Sequence, residues 1–326
     1  MNRWSVRAIL IVLGLLLFPF RSPAPLIFRP GEGWTYELPG SKGSWQKTRA
    51  KDQLEVAQQA FDKKDFRLAL KASRRVIKVY PLSDYAPQAQ YLIGRCLEAR
   101  KQDEKAFNAY QIVLEKYPKA VNYQEIQQRQ FEIATRFLNG QWFKLFGYIP
   151  FFSSMEKTAD MLEKVIKNGP YSEIAPKAQM SIGVAQEKRH HYPEAVKAYE
   201  RAADRYHEQS KVAADALFKA GMAYYKQAKT ADYDQSIAGQ AIASFTDFGA
   251  LYPDDPRVSE TQKLIASLKS EQARGSFRIA KFYEGKKRWD AASIYYNEVR
   301  VIDASSPLAT EALQRIYALK QRSAQK

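Results

Sequence analysis

The side chains that most often carry chemistry are scarce in this chain. It has one cysteine, Cys96, and three histidines, of which His190 and His191 are adjacent. Two neighbouring histidines with no third ligand at metal-binding spacing indicate a solvated turn between helices rather than a metal site. Cys96 lies within a helical pattern and is interpreted as a small packing residue, with a reactive or intermolecular thiol as the alternative.

Nothing else in the sequence suggests catalysis. The acidic residues follow helical spacings typical of surface ion pairs, and no glycine-rich segment follows a strand to hold phosphate. We therefore expect a protein that is not an enzyme and that has no catalytic residue, metal or other cofactor. A binding role is expected instead.

The most unusual local composition is an aromatic segment from Gln141 to Ser154. Its 14 residues include Leu145, Ile149 and six aromatic residues, which are Trp142, Phe143, Phe146, Tyr148, Phe151 and Phe152. An exposed patch of this kind marks a contact with a partner or a membrane. Alternatively, the segment folds back into a groove of the protein and fills it as a plug. The sequence leaves both interpretations open.

Amphipathic helices recur on both sides of this segment. The clearest pair runs from Gln90 to Pro118, where small Gly94 and Ala106 permit two helices to approach closely. This pattern resembles the tetratricopeptide repeat, whose period is about 34 residues and whose units must stack to bury a continuous core. We expect an all-α, tetratricopeptide-like helix-pair solenoid with about six helix pairs and a C-terminal capping helix.

The N-terminus has the features of an export signal. Arg3 and Arg7 precede a 13-residue apolar run at residues 8–20, which is shorter than the roughly 20 residues that span a bilayer. Pro25 would follow a cut after Ala24, and proline restricts the backbone there. The segment is therefore expected either to be cleaved or to remain as an N-terminal anchor. No cysteine directly follows the apolar run, so we expect no lipoprotein anchor.

Three segments result from this interpretation. Residues 1–24 are the signal-like export segment or anchor, residues 25–49 an extended linker rich in glycine and proline, and residues 50–326 the repeat solenoid. The chain carries a formal net charge of +16. Such an excess favours anionic partners, including a membrane surface, while an export signal argues against nucleic acid.

Two parts of the chain resemble the BamD family of outer-membrane protein assembly factors. The C-terminal part of the resemblance rests on Ala241 to Asp255, on Leu268 and on Ile279 to Glu284, followed by Trp289. In the first two repeats it rests on motifs that include Asp65-Phe66-Arg-Leu-Ala and Tyr80-Pro81-Leu-Ser-Asp-Tyr. Together the two parts cover more than half of the chain. Residues 123–206 are expected to form extra repeats between them.

The resemblance implies a periplasmic scaffold associated with the outer membrane. Its partners would be a β-barrel insertase, the other subunits of the assembly machinery and unfolded outer-membrane proteins. The absence of a lipoprotein cysteine departs from the family pattern and leaves the anchoring open. The alternative is an exported repeat adaptor of the cell envelope, such as a cell-wall or division coordinator, tethered to the inner membrane.

Two sets of site residues follow from the repeat positions and the resemblance. The inner helices of the first two repeats are expected to form a client groove with Leu54, Gln58, Phe61, Tyr91, Arg95 and Glu98. In it, aromatic rings would hold apolar client residues and Arg95 would pair with a client carboxylate. The sixth repeat is expected to dock the insertase through Lys269, Glu271, Arg274, Arg278 and Lys281.

Overall fold

A computed structural model of the chain describes residues 26–29, 33–36, 45–118, 122–145, 149–230 and 235–324. Within these ranges the chain forms thirteen helices, which are α1 (Ala50–Asp62), α2 (Phe66–Val79), α3 (Ala86–Ala99), α4 (Asp103–Lys116), α5 (Tyr123–Leu138), α6 (Met155–Asn168), α7 (Ala175–Lys188), α8 (Tyr192–Arg205), α9 (Ser210–Thr230), α10 (Gln235–Leu251), α11 (Val258–Gly285), α12 (Trp289–Ile302) and α13 (Pro307–Ala324). Four short strands are β1 (Leu26–Arg29), β2 (Gly33–Tyr36), β3 (Phe143–Leu145) and β4 (Ile149–Phe152).

The predicted fold class is confirmed. The thirteen helices of the described ranges correspond to six successive pairs, from α1 and α2 to α11 and α12, followed by α13 as the capping helix. Most helices pack chiefly against their neighbours in sequence, as expected for stacked tetratricopeptide units. We number the pairs as repeats one to six.

The described residues fall into two compact units. The first contains the residues up to Ile126 together with Lys144–Ile149, and the second contains Gln127–Phe143 and the residues from Pro150 onward. The first unit therefore holds repeats one and two, and the second holds repeats four to six. The division into an export segment, a linker and one repeat region stays a prediction.

The turn inside a repeat is built around a residue with left-handed backbone. Lys64, Lys101, His190 and Lys287 have φ angles between 57° and 61° and occupy the same place after the first helix of their repeats. Each reverses the chain within three residues or fewer, at a cost of about 1 to 2 kcal/mol for a side chain in this conformation. His190 and His191 thus lie in an exposed inter-helix turn, where the sequence predicted them.

Glycine permits close contact between the two helices of a repeat. The ring of Tyr110 lies directly over Gly94, so that a Cβ atom added there would be 2.3 Å from Cε1 of the tyrosine. The predicted close approach at Gly94 is therefore confirmed. Gly183 lies equally close to the Tyr199 ring. Both tyrosines are fully buried, so the ring cannot move aside without opening the core.

The sequence interpretation did not include the two β-hairpins. Strands β1 and β2 pair antiparallel within the predicted linker, with Leu26 opposite Tyr36 and Phe28 opposite Trp34. Strands β3 and β4 pair within the aromatic segment, between α5 and α6. The second hairpin replaces the short turn of a regular repeat.

Candidate protein-binding surfaces

Three residues predicted for the client groove meet on the inner helices of repeats one and two. The Arg95 guanidinium on α3 lies 5.0 Å from the ring centroid of Phe61 on α1 and 5.8 Å from that of Tyr91. All three side chains are partly exposed. We call these residues the groove cluster. An arginine held over two rings offers a cation and a flat apolar surface together.

Carboxylates lie beside the groove cluster. The Tyr91 hydroxyl donates a hydrogen bond to Glu125, and the Tyr110 hydroxyl donates to Glu98 at 2.8 Å. The remaining two predicted residues lie earlier on α1, where Leu54 is partly buried and Gln58 is exposed. The structure therefore brings both charge signs and two rings together, which suits an extended peptide with mixed side chains.

The pair of Glu98 and Tyr110 recurs along the chain, which the sequence interpretation missed. Tyr199 donates to Glu187 at 2.7 Å, and Tyr296 donates to Glu284 at 2.7 Å. We call each pair a Glu–Tyr clasp. In all three the tyrosine follows the glutamate by twelve residues, and this constant spacing was the available sequence signal.

Two of the clasps are tied to further cations. Glu187 forms an ion pair with Lys226, and Glu284 lies 3.5 Å from a guanidinium nitrogen of Arg315. Burial, and then the hydrogen bond to the neighbouring carboxylate, raise the pKa of the Tyr199 and Tyr296 hydroxyls well above their ordinary range. These hydroxyls therefore stay protonated and act as donors.

Helix α11 carries the residues predicted to dock the insertase. Arg274 and Arg278 are exposed and Glu271 is partly buried. Arg274 pairs with Glu271 at 2.5 Å, and the spacing of three and four residues places all three on one face of the helix. We call Glu271, Arg274 and Arg278 the α11 basic face. Lys269 lies two residues before Glu271 and thus on another face.

Lys281 is also exposed, but it has contacts of its own. Its ammonium lies 4.0 Å from Glu311 on α13 and 4.9 Å from the ring centroid of Phe277. These contacts tie it to the capping helix rather than to the α11 basic face.

A cleft of about 190 Å³ opens beside the α11 basic face, between α10 and α11. Its lining residues are Gln235, Ala238, Leu268, Glu271, Gln272, Gly275, Arg278 and Ile279. The cleft lining therefore combines three apolar side chains with one acidic, one basic and two amide side chains. The Gln235 side chain lies close over Gly275, where an added Cβ atom would be 2.6 Å from Nε2 of the glutamine.

An ion-pair network fixes the start of α11. The Arg257 guanidinium binds Asp255 at 2.8 Å and Asp215 on α9 at 2.5 Å, and it lies over the rings of Phe218 and Phe248 at 4.8 and 5.4 Å. Hydrogen bonding from Arg257 is the main cause that lowers the pKa of Asp255 from 3.8 to about 2. We call Arg257 with its two aspartates the Arg257 node.

The aromatic segment is partly buried and partly exposed. Phe143 is only 2% exposed and stacks on Phe137 of α5 at 4.1 Å between ring centroids. Phe152 lies 5.7 Å from Phe143. By contrast, Trp142 is 53% exposed and Phe151 60%. The predicted residues Phe146 and Tyr148 lie outside the described residues.

Other candidate chemistry can be located within the described ranges. Cys96 is buried, and desolvation raises the pKa of its thiol to about 11, which keeps it protonated at neutral pH. The described residues contain no group of three histidine, cysteine or acidic side chains placed to hold a metal ion. Among the described helices, none has both the length and the apolarity needed to cross a membrane.

Two family profiles match the chain. A profile described as YfiO, outer membrane lipoprotein, matches residues 152–326, which is more than half of the sequence. A tetratricopeptide repeat profile matches residues 88–120. The second match covers the helix pair α3 and α4, where the repeat was predicted from sequence. No curated protein matches the chain.

Several solved structures are similar to the chain at low identity. The C-terminal part of a tetratricopeptide-repeat protein from Cytophaga hutchinsonii has 14% identity and a TM-score of 0.37, with coverage of 84% of this chain and 90% of that one. A tetratricopeptide repeat protein from Parabacteroides merdae has 12% identity and a TM-score of 0.31, covering 82% and 98%. MamA from Desulfovibrio magneticus has 16% identity and a TM-score of 0.32, covering 64% and 97%.

Proposed function

Because the chain belongs to the family of outer membrane lipoproteins described as YfiO, we propose that it is a non-enzymatic, BamD-like scaffold of the machinery that assembles β-barrel proteins into the outer membrane. The family match over residues 152–326 carries this proposal. The tetratricopeptide repeat at residues 88–120 supports a role in protein–protein interaction, since stacked repeats of this kind use extended surfaces to bind other proteins.

In this proposal the α11 basic face docks the barrel insertase. Arg274 and Arg278 are exposed, and the lining of the adjoining cleft includes the apolar residues Ala238, Leu268 and Ile279, which a partner side chain could contact. Buried apolar anchors surrounded by charged residues are typical of stable protein interfaces. The Arg257 node supports this role because it fixes the helix that presents the face.

The groove cluster receives a terminal segment of an unfolded outer-membrane client. Phe61 and Tyr91 provide apolar contact, and Arg95 provides a guanidinium for a client carboxylate. The nearby Glu98 and Glu125 accept hydrogen bonds from tyrosines, which keeps acidic groups beside the cation. This arrangement supports recognition of a peptide.

The proposed location is the periplasm, at the outer membrane. The family description supports association with the cell envelope. The apolar run at residues 8–20, with no cysteine directly after it, favours a second candidate function. In that case the chain is an exported repeat adaptor of the cell wall or division apparatus, tethered to the inner membrane.

Cross-linking capture distinguishes these functions. The tagged full chain is cross-linked mildly in the envelope of its own cell, and the captured partners are identified by mass spectrometry. We expect a large β-barrel protein with periplasmic domains, and we expect its recovery to fall strongly for the Arg274→Glu/Arg278→Glu variant. In this proposal Arg274 and Arg278 face acidic groups of the insertase. Glutamates at these positions would place like charges in contact, which costs several kcal/mol at an interface.

The matched control is Lys197→Glu/Lys211→Glu, which reverses two exposed lysines on α8 and α9. It changes the net charge equally and should leave the capture unchanged. Recovery of inner-membrane or cell-wall proteins in place of the insertase would support the adaptor and overturn the assembly function.

A further inference from the structure

The hairpin β3–β4 has two chemically different faces. Phe143 stacks on Phe137 of α5, and Phe152 in turn stacks on Phe143, so these two rings form the inner face. Trp142 directly precedes Phe143, and Phe151 directly precedes Phe152. Both are exposed, by 53% and 60%. The hairpin therefore presents two large aromatic rings to solvent beside its packed rings.

Cationic side chains lie near the base of this hairpin. The Lys157 ammonium lies 4.9 Å from the Phe152 ring centroid and 5.2 Å from that of Phe143. The Lys188 ammonium donates a hydrogen bond at 2.6 Å to the carbonyl of Leu138, the last residue of α5. Lys157 of α6 therefore lies against both inner rings, and Lys188 of α7 lies at the end of α5.

Arg189 extends the cationic base of the hairpin. It follows Lys188, and its guanidinium lies 3.6 Å from Glu156 at the start of α6. The base thus combines three cations with one carboxylate and has net positive charge. We call Lys157, Lys188 and Arg189 the basic collar.

We propose that the outer face of this hairpin contacts the interface of an anionic lipid membrane through Trp142 and Phe151. Tryptophan favours the membrane interface because its ring is apolar and its N–H remains hydrogen-bonded there. Aromatic rings enter the boundary between headgroups and acyl chains, while lysine and arginine attract anionic headgroups. The Phe151 ring lies 5.6 Å from the Phe152 ring, and the Lys157 ammonium lies 4.9 Å from that same Phe152 ring, so an exposed ring and a cation lie close together.

Charge decides between a membrane and a polypeptide as the occupant of this face. The centre of a protein interface is depleted in charged residues, lysine among them, whereas the basic collar contains three cations. A surface of anionic headgroups matches those cations. The inference does not depend on the proposed function, because it concerns a different segment and a different ligand.

Local fluorescence quenching tests the contact directly. A thiol-reactive dye is attached to the full-length Phe151→Cys variant, since Cys96 is buried. The protein is mixed with vesicles of phosphatidylcholine and phosphatidylglycerol that carry a lipid-bound quencher. We expect strong loss of emission from this dye. The control is Tyr317→Cys on α13, whose native side chain is also 60% exposed, and its dye should stay bright.

Because the dye reports its own surroundings, a membrane contact made by residues 8–20 does not mask the result. Emission at position 151 that responds only to aqueous iodide, while the protein is bound to the vesicles, would overturn the proposal. Protection of the dye by an unfolded outer-membrane polypeptide, with no effect of vesicles, would also overturn it and assign this face to a protein ligand.

Affinity measurements test the two parts of the surface separately. Trp142→Ala/Phe151→Ala should weaken vesicle binding by about tenfold or more, because two large rings leave the interface. Lys188→Glu/Arg189→Glu should weaken it by a similar factor on anionic vesicles and have little effect on pure phosphatidylcholine. Lys197→Glu/Lys211→Glu serves as the charge control. Equal binding of all these variants would contradict the assignment.

Discussion

Repeats four and five solve the same packing problem in different ways. In repeat four, Gly183 lies under the Tyr199 ring, and in repeat five Gly221 lies under the Phe245 ring. Tyr199 completes a Glu–Tyr clasp with Glu187, whereas Phe245 has no hydroxyl and packs in an apolar cluster. The contact between glycine and ring is common to both repeats, while the polar clasp belongs to one of them.

Repeat five has its polar link in another place. The Arg257 node connects Asp215 on α9 to the start of α11 and lies over Phe218 and Phe248. In both repeats the two helices approach closely because a glycine on the first helix has no side chain. The charged residues lie at different positions in the two repeats, so they are not needed for this contact. The ion pair between Glu187 and Lys226 is likewise separate from the glycine contact of repeat four. It joins α7 and α9, the first helices of repeats four and five.

The largest expected effect concerns the contact that the two repeats share. Gly183→Ala places a methyl group 2.3 Å from the Tyr199 ring, and overpacking of a filled core costs about 1 to 3 kcal/mol. We expect a loss of stability near the upper end of this range in urea unfolding. Gly221→Ala, where the closest approach is 2.6 Å, should lose a similar amount or slightly less.

Gly239 provides the control for these two variants. It also lies in a helix, but the nearest atom to an added Cβ is 3.9 Å away. Gly239→Ala should therefore stabilise the protein by about 0.5 to 1 kcal/mol, because alanine favours the helix. If Gly183→Ala were as stabilising as Gly239→Ala, the packing account of repeat four would be wrong.

Removal of the polar clasp should have a smaller effect, which should act on repeat four and on its contact with α9 but not on the ring packing around Phe245. Glu187→Ala leaves the Tyr199 hydroxyl and the Lys226 ammonium without their carboxylate, which costs about 1 to 3 kcal/mol. Tyr199→Phe removes only the donor and should cost about 1 kcal/mol. Hydrogen exchange should become faster in α7 and α8 and stay unchanged in α10. An equal change in both repeats would contradict the separation of ring packing and clasp.

Acid should affect repeat five through the Arg257 node. The folded pKa of Asp255, about 2, lies below its ordinary value of 3.8. The folded state therefore favours the ionised form, and this stabilisation is present above pH 3.8 and is lost as the pH falls toward 2. Asp255→Asn should flatten the pH dependence of unfolding in this window. An identical acid profile in the variant would show that the node does not contribute.

Alkali should affect repeat four instead. The pKa of the Tyr199 hydroxyl is raised above its ordinary value of 10.0 by burial and by Glu187. The folded state favours the protonated hydroxyl, so this contribution is complete below pH 10 and is lost as the pH rises above it. Tyr199→Phe should lose less stability than the wild type between pH 10 and pH 11. The same slope in both proteins would contradict the assignment.

The repeat order and the close contacts could be predicted from sequence. Helical periodicity and small residues such as Gly94 located the helix pairs, because apolar residues recur at helical spacing within each helix and the helix-pair pattern recurs along the chain. The adjacent histidines were correctly placed in a turn. The Glu–Tyr clasps were missed, because each joins residues twelve positions apart on two helices. A single glutamate of this kind looks like any acidic residue on a helix surface, and only the recurrence of the spacing identifies the pair.

The faces of the aromatic hairpin could not be predicted in the same way. A strand reveals its buried face by alternation of apolar and polar residues, and the segment Ile149–Phe152 contains only apolar ones. Likewise, the contact between Lys281 and Glu311 joins two helices that are far apart in sequence. Tertiary packing decides both features, and local patterns do not record it.

The most direct test of the account measures two binding reactions on the same purified protein. One ligand is the periplasmic region of the insertase, and the other is a peptide from the terminus of an outer-membrane client. We expect Arg274→Glu/Arg278→Glu to lose the insertase and retain the peptide, and Phe61→Ala/Arg95→Glu to lose the peptide and retain the insertase. If both double variants still bound both ligands, or if each of them lost both ligands, the protein would not be a scaffold with two separate binding surfaces.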